Sequence, residues 1–195
     1  MASFGNLETE IPFLVDLMDE HEVVHGMAER AIEAIGEATG GGAAERDAAL
    51  EVLRDLDAYL LEDMVIHIAK EEDVLFPALQ GFAADLDKVV VEMVEQHDEV
   101  RAKCAAIEVA MRALDAAHEE VEAAKGGFSE ALERVDGVLS DEDLARLLDA
   151  VKRLDWILQG HFGDEEDDLF VPAIALLSDE TWASLHERAR KLVDS

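Results

Sequence analysis

His67-Ile68-Ala69-Lys70-Glu71-Glu72-Asp73-Val74-Leu75-Phe76-Pro77 and His161-Phe162-Gly163-Asp164-Glu165-Glu166-Asp167-Asp168-Leu169-Phe170-Val171-Pro172 are two copies of one pattern, H-x-x-x-E-E-D-x-L-F with proline close behind. In a helix, residues four apart lie about 40° apart around the axis and about 6 Å apart along it. His67 with Glu71, and His161 with Glu165, therefore form two-toothed clamps, each on one helix face. The apolar stripe identifies that face. Before the second clamp it runs Leu147, Val151, Leu154, Leu158, and the next steps of three and four reach His161 and Glu165. Before the first it runs Leu53, Leu56, Leu60, Met64, then His67 and Glu71. An ionised carboxylate on a core face is costly unless it is paired or bound to a metal. One such glutamate could be a buried ion pair; two in matched settings point to cations held inside a helical bundle.

Lone histidines repeat as well. The first helical stripe is Ile11, Leu14, Met18, His21, His25, Ala28, Ile32, Ile35, and the third is Val90, Met93, His97, Val100, Cys104, Ile107, Met111, Leu114. The surroundings match: Asp19-Glu20-His21-Glu22 against Glu95-Gln96-His97-Asp98. The chain reads as an internal duplication, each half carrying a lone histidine followed by a His-x-x-x-Glu clamp.

Punctuation divides the chain into helices over about 12–39, 44–76, 84–125 and 141–177, the last with a kink near Pro172. A short fifth helix follows over about 180–193, and a looser stretch through Ser140 absorbs the difference between the halves. Gly40-Gly41-Gly42, Pro77 with Gly81, and Gly126-Gly127 supply the breaks. The expected fold is all-α, an up-down-up-down four-helix bundle with an internal two-fold repeat, in a single domain spanning residues 1–195 with its core at about 11–177. In such a bundle the starts of the first and third helices sit beside the ends of the second and fourth. At about 1.5 Å per residue, His21, His67, His97 and His161 then fall within one or two turns of a common level.

Four imidazoles and two carboxylates exceed the needs of one tetrahedral zinc. They suit two metal ions with terminal histidines, bridged by Glu71 and Glu165. Mixed imidazole and carboxylate ligation favours iron, copper, nickel or zinc over magnesium and calcium. Carboxylate di-iron bundles of the ferritin type use Glu-x-x-His clamps; here the order is reversed at a spacing of four, and the one Glu-x-x-His, Glu22 to His25, has no counterpart.

Composition sets further bounds. The 195 residues carry 16 basic and 47 acidic side chains, a net charge of −31. Such a chain repels nucleic acid and anionic membranes, and the charge otherwise reads as a solvated surface. The longest uncharged apolar stretch, Leu169 to Leu177, is too short to cross a bilayer. Met1 to Glu10 lacks the features of a signal peptide, and the single cysteine, Cys104, suits a reducing interior. A cytoplasmic protein, monomeric or weakly dimeric, is expected.

His21, His67-x-x-x-Glu71, His97 and His161-x-x-x-Glu165, followed by Leu-Phe-Pro-like turns, resemble the hemerythrin-like HHE cation-binding domain, over roughly Ile11 to Leu177. The resemblance implies a four-helix bundle around two iron ions with bridging carboxylates and an oxo or hydroxo group. It also implies binding of dioxygen, nitric oxide or iron itself in storage, sensing or stress defence, with peroxide decomposition as the enzymatic alternative. Oxygen-carrying hemerythrins have a fifth histidine one turn after the third-helix histidine, where this chain has Arg101. By the internal repeat Arg101 corresponds to His25, so His25 is a seventh candidate ligand, against the alternative of a core histidine bonded to a neighbour. Arg101 is read as a donor near the pocket or as a solvent-facing residue, Glu72 and Glu166 as surface or supporting groups, Cys104 as core, His118 as structural and His186 as exposed.

Overall fold

The computed structural model describes residues 9–125 and 139–193. They form α1 (Pro12–Ala38), α2 (Ala43–Leu61), α3 (Asp63–Ala69), α4 (Phe76–Leu79), α5 (Ala84–Lys125), α6 (Asp141–Asp164), α7 (Val171–Leu176) and α8 (Asp179–Val193), with no strand among the described residues. Local chemistry explains the starts. Pro12 occupies the first turn of α1, where its missing N–H would have had no helical partner. Ser140 opens α6 through a capping box, its hydroxyl accepting from the Asp143 N–H at 3.1 Å while the Asp143 carboxylate accepts from the Ser140 N–H at 3.3 Å. The loose stretch expected ahead of Ser140 lies mostly outside the described residues.

Both clamps run into a π-helical turn, Lys70–Leu75 after α3 and Glu165–Phe170 after α6. The expectation that Pro77 ends its helix is corrected. The chain widens and continues through α4 to Gly81, whose φ of +83° reverses it. Pro172 likewise passes into α7 after a π turn. The cause is shared. Proline offers no N–H and its ring presses on the carbonyl four residues back. The wider turn moves that carbonyl away, and the N–H groups of Phe76 and Val171 bond five residues back, to Glu71 and Glu166. The Asp73 carbonyl, deprived of Pro77 as donor, accepts from Arg188 of α8 at 2.8 Å. A break at Glu62, which the apolar stripe did not signal, separates α2 from α3.

α1 packs on α2 and α6, and α5 packs on α6 and α2, so the four long helices close a ring. The core has two apolar clusters. Each of the four helical runs that carry the histidines crosses from one to the other near its histidine. Leu17 and Val24 lie on opposite sides of His21, Met93 and Val100 of His97, Met64 and Val74 of the His67–Glu71 clamp, and Leu158 and Leu169 of His161. The polar layer is thus a slice through an apolar core. α8 seals one end, burying Trp182, Leu185 and Ala189 against Phe13 and its neighbours. No described helix is long and apolar enough to cross a membrane.

Candidate metal centre

The slice holds six buried donors. His21, His67, Glu71, His97 and Glu165 are at most 1% exposed, and His161 is 4% exposed. Their atoms fall into two groups, His21 with His67, Glu71 and Glu165, and His97 with His161, Glu71 and Glu165. Within each group one ligand atom per residue lies within 4.8 Å of all the others. Both carboxylates belong to both groups.

Their oxygens are divided between the two. Glu71 Oε1 lies 3.5 Å from His67 Nε2, and its Oε2 lies 3.0 Å from His97 Nε2. Glu165 Oε2 lies 3.5 Å from His21 Nε2, and its Oε1 lies 3.4 Å from His161 Nε2 and 3.7 Å from His97 Nε2. This is how two carboxylates bridge a pair of cations. All four of these oxygens, and Nε2 of His21, His67 and His97, are buried without a hydrogen bond. Buried polar atoms are rarely left so, and one kind of guest satisfies acceptors from imidazole and carboxylate together. The donor set fits metal cations.

The outer nitrogens of His67, His97 and His161 are hydrogen-bonded, and the partners follow the duplication. His67 Nδ1 lies 2.9 Å from Glu20 Oε2, and His161 Nδ1 lies 2.8 Å from Gln96 Oε1. His97 Nδ1 lies 2.9 Å from Glu72 Oε1, and His21 Nδ1 lies 3.6 Å from Glu166 Oε1. Each residue preceding a lone histidine thus supports its own half's clamp histidine; Glu72 supports His97 of the other half, while its equivalent Glu166 faces His21 without a hydrogen bond. Partners at Nδ1 fix the ring and direct Nε2 toward the metal. Aromatic rings hold two imidazoles from the side: Phe162 stacks on His21 with centroids 3.7 Å apart, and Phe76 on His97 at 5.7 Å.

Residues 13–134, more than half of the 195, match the hemerythrin HHE cation binding domain. The chain belongs to the hemerythrin HHE cation-binding family. Its matched span holds His21, His67, Glu71 and His97, while the second clamp lies beyond it and completes the hemerythrin-like donor set by geometry alone. No curated protein matches the chain.

His25 is not brought into either group. Its Nδ1 lies 2.7 Å from Asp155 Oδ1 of α6, and its Nε2 lies 3.4 Å from Glu29. The buried face of α1 runs Leu14, Leu17, His21, Val24, Ala28, Ala31, Ile35. It takes the three-residue step from His21 to Val24, not the four-residue step to His25. α5 makes the same choice, from His97 to Val100, which leaves Arg101 off the seam. Arg101 bonds Glu72 Oε2 at 2.7 Å and Asp98 at 3.1 Å, so it reaches the centre through Glu72. Glu166 is buried, not at the surface. His186 is half-buried, with Nδ1 3.5 Å from Asp16. The side chain of His118 lies outside the described residues. Glu20, Gln96, Lys70 and Phe162 were not anticipated in their roles, although Glu20 and Gln96 each stand directly before a lone histidine in both copies.

Electrostatics shows what an uncharged slice costs. Burial, joined by the charge of Glu71, pushes the Glu165 carboxyl up to about 8. Burial also disfavours ionised Glu71, but His67 and then His97 outweigh it and hold the carboxyl below the usual range. His97 is raised to about 10, because contacts with Glu165 and Glu71 overcome burial. Burial drives His161 down to about 3 and His21 well below the usual imidazole range. Protons at alternate places thus do part of the work of cations. Metal ions would do it for every donor at once.

Proposed function

We propose that this hemerythrin-family protein binds two iron ions, linked by an oxo or hydroxo group, and takes up dioxygen or nitric oxide there for storage, sensing or stress defence. The observation that carries this reading is the division of the Glu71 and Glu165 oxygens between two histidine pairs. His21 and His67 would hold one ion, His97 and His161 the other. Imidazole and carboxylate donors suit iron, and the chain's own resemblance to hemerythrins favours it over zinc. The same seating supports an up-down-up-down four-helix bundle of two repeated halves within one domain.

Iron supplies one-electron chemistry and affinity for diatomic ligands. The protein does the rest. Each histidine pair with two shared carboxylates offers four donors, fewer than an octahedral ion takes, so room for a small ligand is built in. Phe76, Phe162 and the flanking apolar clusters keep bulk water out of the slice. Glu20, Glu72 and Gln96 hold the imidazoles of His67, His97 and His161 in the tautomer that leaves Nε2 free to bind. The expected partner is therefore a small molecule, in a cytoplasmic protein that is a monomer or weak homodimer and has no nucleic-acid or membrane role.

A second reading, peroxide decomposition, is favoured by one observation. His25 pairs with Asp155, so neither ion gains a third imidazole and both keep room for exogenous ligand. Anaerobic ferrous loading followed by dioxygen and nitric oxide titration separates the two. Reversible new absorption bands on gas addition support uptake. Sustained oxygen evolution from peroxide, lost in His97→Ala, supports the enzyme. Iron that binds but whose spectrum no gas or peroxide changes would contradict both.

A further inference from the structure

The duplication supplies two metal positions of equal donor number, yet their surroundings differ in hydrogen bonding and in access. At the inner position, His67 is backed by the Glu20 carboxylate and His21 faces Glu166. The other oxygen of Glu20 is bonded by the buried Lys70. At the outer position, His97 is backed by Glu72, whose second oxygen is bonded by Arg101. His161 is backed only by the neutral amide of Gln96, whose Nε2 donates to the exposed Asp164 at 3.2 Å. Glu20 in one half and Gln96 in the other are equivalent residues, and they put a carboxylate behind one clamp histidine and an amide behind the other. An imidazole whose Nδ1–H meets a carboxylate is a more basic, more tightly binding ligand than one whose Nδ1–H meets an amide oxygen.

Access differs at one residue: His21, His67 and His97 are 0%, 1% and 0% exposed, whereas His161 is 4% exposed and lines a pocket of about 380 Å³. Gln96, Glu99, Trp156 and Asp164 also line that pocket. It holds two carboxylates and, among the described residues, no lysine or arginine. A mouth of that sign draws cations in and disfavours anions.

We propose that the positions load in order: the His21–His67 position takes the first and tighter ion, and the His97–His161 position takes the second, which enters and leaves through the pocket beside Trp156. Glu20 and Gln96 act as positioning residues that set this difference. The inference rests on the two-ion reading above, and it concerns affinity, not turnover.

The test is anaerobic titration of the metal-free full chain with ferrous iron against a competing chelator, with the stoichiometry of each step measured. Wild type binds two ions in resolved steps at least about tenfold apart. Gln96→Glu tightens the second step about tenfold and leaves the first in place. Glu20→Gln weakens the first step about 10–100-fold. Both substitutions are near-isosteric, and unchanged thermal unfolding of the chelated variants shows that they fold. Glu99→Lys, at an exposed position, slows uptake of the second ion and not of the first. Two ions bound with equal affinity in wild type, Gln96→Glu acting on the first step, or neither variant moving its step would overturn the ordering while leaving the two-ion centre intact. Failure to bind iron at all would overturn the centre itself, and the ordering with it.

Discussion

Replacing Glu165 by glutamine should make the metal-free protein more stable and the metal-loaded protein less so. In the unfolded chain a glutamate releases its proton near 4.5, whereas burial beside Glu71 raises Glu165 to about 8 in the fold. The sign follows from proton counts. Between these values the folded chain retains a proton that the unfolded chain has lost, so stability falls as pH rises from 4.5 toward 8. At pH 7 the span is about 2.5 pH units, which at about 1.4 kcal/mol per unit amounts to about 3 kcal/mol. Glutamine carries no such penalty at any pH. For a chain of this size about 3 kcal/mol corresponds to about 6–12 °C in Tm. Thermal unfolding in excess chelator should therefore show a variant advantage under about 1 kcal/mol at pH 5, growing to about 4 kcal/mol at pH 8. With saturating ferrous iron the order should invert. Wild type gains about 4 kcal/mol per ion at a thousandfold excess over Kd, about 8 kcal/mol for two, and the variant, with one bridging oxygen gone, gains less. A variant advantage that is the same at pH 5 and pH 8, or a variant less stable than wild type at pH 8 in chelator, would refute this reasoning.

Three further outcomes follow from the same geometry. At pH 7 the metal-free slice holds protons on Glu165 and His97, raised to about 8 and about 10, and in part on His67, where burial is outweighed by Glu71 and Glu20, so iron uptake should expel about two protons or more per chain and tighten as pH rises through that range. Uptake in weakly buffered solution with an indicator dye measures this, and uptake without acidification contradicts it. His25→Gln should leave iron stoichiometry unchanged while costing about 1–2 kcal/mol in urea unfolding through the lost Asp155 hydrogen bond; loss of an ion would instead place His25 at the centre. Ser140→Ala should cost about 1 kcal/mol by uncapping α6, with Ser140→Asp restoring most of it.

The donors were legible because a helix repeats every 3.6 residues and a carboxylate on a core stripe is conspicuous. His67, Glu71, His161 and Glu165 announce themselves in that way, and His21 and His97 follow from the common level. What was not legible has particular causes. His25 sits four residues after His21 and Val24 three after it, and both steps stay near one face; packing against α6 selects Val24. Pro77 and Pro172 forbid an ordinary α-turn, but proline alone does not decide between stopping and widening, and here the released Asp73 carbonyl finds Arg188 from a distant helix. Glu20 and Gln96 stand next to histidines in sequence yet serve histidines on other helices. That crossing depends on the register of packed helices, which no single stripe contains. The burial of Glu166 has the same standing: Glu72 holds the matching place in the other π turn and is partly exposed, so the packed neighbours decide.

The central claim is that two cations share the Glu71 and Glu165 carboxylates within one dry slice. Anomalous diffraction at the iron edge, on crystals of iron-loaded protein, tests it most directly. Two peaks per chain are expected, about 3.5–4 Å apart, one beside His21 and His67 and the other beside His97 and His161. A single peak, or none among these six side chains, would contradict the account.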